Sequence, residues 1–299
     1  MPGSWPDPSL LAGRVAERSR TEYARDAAAY VRFCESPEAT LEAAQLARWG
    51  SHLAQDTTYS PNTINRKLAA VKCLIRAAAA EGLVGAEVAQ AFAAVEGVKP
   101  AALKHRLKAH ARTRIAPDDM RRLCESPDAR TLAGQRDRAL LATLASSGCR
   151  VSEVVSLQRS QLRAETDYVG VEVCGKGQSQ PRQAPLSREA YARIERWLAA
   201  RPVHSAYLFT RFNGRGLQSR ASAEPMSRTS AWRLVQRYAE EVGLEHVKPH
   251  DFRRFVGTEL TRQRGIRQAQ RALGHQRIET TAQHYVLDAL EGGLTDGLY

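Results

Sequence analysis

Four clusters in the second half of the chain carry side chains suited to an anionic reaction centre. The first is Ser147-Gly148-Cys149-Arg150-Val151-Ser152-Glu153. A helix ends at the glycine, an arginine follows at once, and a new helix begins. Free N–H groups at that helix start favour an anion beside Arg150. Glu153, three residues on, shares its face and can hold the guanidinium in one rotamer. The second is Lys176 in Cys174-Gly175-Lys176-Gly177, a lysine at a strand tip between two glycines. The third is His250-Asp251-Phe252-Arg253, with Pro249 fixing the helix entry and Arg254 adding a further charge. An imidazole beside guanidiniums at a positive helix end makes sense when an anion sits between them. The fourth is Leu273-Gly274-His275, followed by Thr280-Thr281-Ala282-Gln283-His284-Tyr285. Alone, each has an ordinary reading: a surface ion pair, a hairpin turn, a core or surface histidine.

Together they offer two arginines, two histidines, a lysine and a tyrosine. No carboxylates cluster to hold magnesium, so two-metal hydrolysis is disfavoured and no metal is expected. No G-x-x-x-x-G-K-[ST] loop occurs, so no nucleotide or other cofactor is called for. Two arginines can neutralise a pentavalent phosphorane. A tyrosine can attack phosphorus while a lysine or histidine protonates a departing 5′ oxygen. That chemistry is metal-free transesterification on a DNA backbone.

Composition fits a polyanionic partner. The 299 residues carry a net charge of +12, and only seven of the cations are lysines. Arginine favours forked contacts to phosphate oxygens. Five cysteines at 34, 73, 124, 149 and 174 form no C-x-x-C pair, which argues against a disulfide scaffold or a cysteine zinc site. MPGSWPDPSLLAG has no apolar run with a basic flank, so it is not read as a signal peptide. No stretch is long enough for a membrane span, and no membrane partner is expected. The reading is a cytoplasmic, nucleoid-associated protein.

The elements that must position these residues divide into two units. Residues 1–96 read as all-helical. Tyr23, Ala27, Tyr30, Val31 and Cys34 form one stripe; Thr40 is expected to cap a helix running to about Gln55; Ser60-Pro61 opens the clearest helix, with Ile64, Leu68, Val71, Ile75 and Ala78 on its core face. Arg66, Lys67, Lys72 and Arg76 occupy its other faces as candidate DNA contacts. Residues 97–114 contain no acid but hold Lys99, Lys104, Arg106, Lys108 and Arg112, and read as a partly flexible basic linker across a phosphate backbone. The second unit, 115–299, opens on the Pro117-Asp118-Asp119 helix start. One strand-like region at 168–174 turns at 175–177 into a shorter extended piece ending near Leu186. Helices are expected over about 132–147, 187–200, 227–242 (core stripe Trp232, Val235, Ala239, Val242) and 251–264. The fold class is mainly α with a small antiparallel β-sheet.

SSGCRVSEVVSL, the glycine-flanked Lys176, HDFRR, LGH and TTAQHY, in this order and spacing, resemble the tyrosine recombinases, the phage integrase family, over about 116–285. SPNTINRKLAAVKCLIRAAAAEGL is similar to the last long helices of that family's core-binding domain. The resemblance implies a helical core-binding domain, a catalytic domain, and a C-shaped clamp on duplex DNA with specific core sites. It makes Arg150 and Arg253 the phosphate clamp, Lys176 the general acid, His250 the acid/base, His275 a donor to a non-bridging oxygen, Tyr285 the nucleophile, and Glu153 a buttress. Two positions depart from the pattern. Arg254 stands where a second histidine is common. The nucleophile usually lies nine residues after the glycine-linked histidine, which is His284 here, with Tyr285 one later; a bulge or longer loop around 276–279 would restore the geometry. The short amphipathic tail at 286–290 resembles one that docks on a neighbouring protomer and joins four subunits. A DNA-binding relative without catalysis and a type IB topoisomerase remain open beside this reading.

Overall fold

The computed structural model describes residues 5–106, 115–175, 180–214 and 220–285, with residues 283–285 described by backbone alone. It divides into two units, Met1–Ala111 and Arg112–Tyr299. Among the described residues, no helix is long and apolar enough to cross a membrane.

The first unit is built of α1 (Glu17–Phe33), α2 (Ala43–Gln55), α3 (Pro61–Ala80) and α4 (Ala86–Ala94). Ser60 caps α3, its Oγ accepting from Thr63 N at 3.3 Å, with Pro61 in the first turn where its missing N–H costs nothing. The expected stripe of α3, Ile64, Leu68, Val71, Ile75 and Ala78, is buried against Tyr30, Leu46, Trp49 and Phe92. Thr40 does not cap α2. It is buried in a 3-10 turn, where its carbonyl accepts from Tyr30 Oη at 3.2 Å, and Glu42 holds the cap position. The core aromatics dictate this, because the tyrosine hydroxyl needs a partner when its ring is buried. The expected linker also begins inside this unit. Asn65 Nδ2 donates to Val98 O at 2.9 Å, its Oδ1 accepts from Val98 N at 2.7 Å, and Leu103 packs on the core. Residues 107–114 lie outside the described residues.

The second unit begins with α5 (Pro117–Glu125), α6 (Leu132–Ser147) and α7 (Val151–Val155). An antiparallel sheet follows in the order β1 (Leu162–Ala164), β2 (Val169–Val173), β3 (Arg182–Pro185). Val173 stands opposite Arg182 at the base of the β2–β3 hairpin. Then come α8 (Arg188–Ala200), the pair β4 (Thr210–Asn213) and β5 (Arg220–Pro225), α9 (Arg228–Glu241), α10 (Pro249–Arg264), α11 (Ile266–Leu273) and α12 (Ile278–Tyr285). The class is mainly α with small antiparallel sheets, two among the described residues rather than the one expected. β4–β5 escaped the pattern because β5, Arg-Ala-Ser-Ala-Glu-Pro, has no β-branched residue and no alternation of buried and exposed positions. The α9 stripe is also displaced: Ala231, Leu234, Val235, Tyr238 and Ala239 face the core, while Trp232 is exposed.

α6 lies against both α8 and α10, and α10 against α11 and α12. These contacts bring the ends of α6 and α11 together. Gly148 terminates α6 at φ +61°, a left-handed turn that favours glycine. A Cβ there would stand 2.7 Å from Leu273 Cδ2 and 3.0 Å from Val256 Cγ1. Gly274 ends α11 in the same way, at φ +67°.

Candidate active site

Arg253 is the pivot. It lies on the first turns of α10, is 1% exposed, and points across the junction of three helices. Its Nη1 donates to Gly148 O at 2.7 Å, and its Nη2 to Leu273 O at 2.7 Å. Nη2 also approaches His275 Nε2 at 2.9 Å. A guanidinium cannot accept, so Nε2 is the acceptor and the ring proton sits on Nδ1, 2.9 Å from Thr281 Oγ1. Gln270 Nε2 adds a donor to His275 O at 3.1 Å. The turn carrying His275 is thus held by α10, α11 and α12 together. Asp251, whose Oδ2 accepts from Lys248 N at 2.9 Å, caps α10 and fixes its entry. His250 stands exposed on that first turn.

Arg150 lies on the other side of Gly148. Glu153 holds it twice: Oε1 accepts from Nη1 at 2.8 Å and Oε2 from the Arg150 backbone N at 2.8 Å. Glu153 is 8% exposed, whereas the Arg150 side chain is 43% exposed. The carboxylate is inside and the guanidinium faces out, where an anion can reach it. The expected pairing of Glu153 with Arg150 is present, but Glu153 carries a second cation that sequence reasoning did not single out. Arg182 Nη2 donates to Glu153 Oε2 at 3.1 Å, and its Nη1 to Ala272 O at 2.6 Å. Strand register was the only signal for it, since it pairs with the last residue of β2. Thr281 was part of a quoted motif without a role.

The structure therefore brings two bonded groups, Arg150 with Glu153 and Arg182, and Arg253 with His275, to neighbouring carbonyls at the end of α11, Ala272 O and Leu273 O, and leaves His250 exposed on the first turn of α10. Position 285 closes α12 one helical turn after Thr281, and α12 runs unbroken from Ile278. Lys176, Lys108, Arg112 and the tail after 285 lie outside the described residues, as does the side chain of Tyr285.

The candidate DNA contacts of the first unit separate into two groups. Arg66 and Lys67 both bind Asp26, which is 3% exposed, with Lys67 Nζ 2.9 Å from Oδ1. Lys72 Nζ donates to the carbonyls of Val95 and Ala93 at the end of α4. Burial, with the Arg76 charge beside it, pushes its ammonium below the usual range. These three cations satisfy a buried carboxylate and a helix end inside their own unit, so the basic face expected of α3 reduces chiefly to the exposed Arg76. Lys99 and Lys104 are exposed, and Arg106 is half-buried.

In class this is a cationic centre at a three-helix junction of a mainly α unit. The Phage integrase family model matches residues 113–291, more than half of the chain, and the chain belongs to that family. It is 34% identical over 171 residues to tyrosine recombinase XerD of Neisseria meningitidis serogroup B, covering 56% of each. It is 37% identical over 173 residues to tyrosine recombinase XerD of Xanthomonas axonopodis pv. citri, covering 56% of this chain and 55% of that one. The matches thus span about half the length of these curated relatives. Two solved structures share the fold. One is the Tn1549 transposon integrase in complex with circular intermediate DNA, at a TM-score of 0.66 and 15% identity, over 96% of this chain and 97% of that one. The other is a lambda integrase dimer bound to a COC' core site, at 0.65 and 16%, over 95% and 94%.

Proposed function

We propose that this chain is a site-specific DNA recombinase that cuts and rejoins strands through a 3′-phosphotyrosine link. The observation that carries the reading is the convergence of Arg150–Glu153–Arg182 and Arg253–His275 on the end of α11, which gathers three polar groups, Arg150, Arg253 and His275, expected to meet one phosphate. Arg150 and Arg253 neutralise the charge that develops as the tyrosine attacks, which is where preorganised donors act most strongly. The Tyr285 phenolic oxygen bonds to phosphorus and loses its proton to His250. The bond from phosphorus to the 5′ oxygen breaks, and Lys176 protonates that departing oxygen to give the 5′-hydroxyl. His275 donates to a non-bridging oxygen. A 5′-hydroxyl from a partner strand reverses the step, so neither metal nor ATP is consumed. Arg76, Lys99 and Lys104 contact the DNA backbone, and the chain works on its core sites as a homo-oligomer, a tetramer joined through the tail after 285.

The test begins with selection of duplexes bound from a randomised pool. A nicked duplex bearing the recovered sequence should form an SDS-resistant protein–DNA adduct. Arg150→Ala should slow it by about 10²–10³-fold, roughly 3–4 kcal/mol. Sequence-specific binding with no adduct would sink the enzyme reading in favour of a DNA-binding relative.

A further inference from the structure

We propose that Arg182 is a positioning residue of this centre. From β3 it holds Glu153, and through Glu153 the Arg150 guanidinium, in register with the turn that carries His275. The inference rests on the recombinase reading and adds a residue to it.

Three observations carry it. First, Arg182 is half-buried, its side chain only 11% exposed, and it bridges parts of the chain far apart in sequence. Nη2 reaches Glu153 Oε2 at 3.1 Å and Cys149 Sγ at 3.7 Å, while Nη1 reaches Ala272 O at 2.6 Å. Second, the carbonyls at a helix C-terminus lack intrahelical donors. At the end of α11, Ala272 O is taken by Arg182 and Leu273 O by Arg253. Two arginines from different elements therefore finish the helix that delivers His275. The fit is close: a Cβ on Gly274 would stand 2.2 Å from Arg182 Cδ and 2.5 Å from its Nε. Third, the charges balance in a useful way. Glu153 touches both Arg150 and Arg182. With Arg182 present, the carboxylate's charge is matched from inside, and the outward-facing Arg150 keeps its own charge for an anion. Without Arg182, Glu153 is left to neutralise Arg150, and the centre loses one positive charge as well as a brace.

The experiment uses the full chain and two nicked duplexes bearing the pool-selected sequence. One has a normal scissile phosphodiester. The other carries a methylphosphonate there, which removes the negative charge that Arg150 must meet. Arg182→Gln should slow adduct formation on the phosphodiester by about 10–100-fold, as expected for a displaced donor. On the methylphosphonate the deficit should shrink to within about threefold, because the phosphorane then carries one negative charge fewer for the arginines to neutralise. Arg182→Lys, which keeps the charge, should recover part of the rate. Arg182→Gln combined with Glu153→Gln should be no slower than Arg182→Gln alone, since the two act through one contact. An equal deficit on both substrates, in Arg182→Gln or, if that variant does not fold, in Arg182→Lys, would mean a merely structural role and overturn the proposal. So would a variant as fast as the parent. If the parent chain itself gives no adduct on either duplex, the recombinase reading falls, and this inference with it.

Discussion

Replacing Thr281 by valine exchanges a buried hydroxyl for a methyl of nearly the same size. Thr281 is fully buried, and its Oγ1 lies 2.9 Å from His275 Nδ1. Valine takes away the acceptor that holds the ring proton on Nδ1 while Nε2 faces Arg253. An unsatisfied donor costs about 1–3 kcal/mol, and since the hydroxyl's own desolvation is relieved, the net loss should be about 1–2 kcal/mol. If His275 must keep that orientation to meet the phosphate, the same energy appears as a rate loss of about 5–30-fold. Thr281→Ser is the control. It keeps the hydroxyl and removes one methyl, so it should lose about 0.5–1.5 kcal/mol of stability and little rate. The assay pairs denaturant unfolding with single-turnover adduct formation on the selected nicked duplex. A valine variant as fast as the parent, or a serine variant as slow as valine, would refute a positioning role for the Thr281–His275 bond.

Further outcomes follow from the same geometry. Gly148→Ala forces a side chain into a left-handed turn and against Leu273 and Val256. It should destabilise the second unit by about 2–5 kcal/mol, summing roughly 1–2 for the backbone and 1–3 for overpacking, as read by chemical denaturation. Burial pushes the Cys124 thiol up to about 12 from its ordinary 9.0, with Arg193 opposing the shift. The folded chain then keeps a proton that the unfolded chain releases, so this group's contribution is complete below pH 9 and is lost as pH rises toward 12. The slope is about 1.4 kcal/mol per pH unit, and stability that holds flat between pH 9 and 11 would contradict it. Cys149 is also raised by burial, so iodoacetamide at pH 8 should label the exposed Cys174 before either buried thiol.

Much of the centre could be read from residue order because its markers are local. Gly148 and Gly274 end helices at positive φ, and each is followed closely by a residue of the candidate centre, Arg150 two positions on and His275 at the next. Pro249 and Asp251 announce α10 in the same way. What escaped is what only tertiary structure decides. Arg182 is one arginine among many until β2 and β3 pair and α11 ends against it. The cations of α3 fall on polar faces by periodicity, but Asp26 on α1 and the last carbonyls of α4 claim Arg66, Lys67 and Lys72. Helical periodicity gives a face, and the neighbour packed against that face decides whether a charge serves the fold or a ligand. Trp232 shows the converse, since an aromatic at core spacing ends up exposed once Ala231 and Leu234 take the buried side of α9.

The most direct measurement is to trap the adduct on the selected nicked duplex, digest it with protease and nuclease, and locate the nucleotide-bearing residue by mass spectrometry. The account predicts a 3′-phosphoryl link at Tyr285, a free 5′-hydroxyl on the released strand, and loss of the adduct in Tyr285→Phe. A link at any other residue, a 5′-phosphate on the released strand, or an adduct that survives Tyr285→Phe would contradict it.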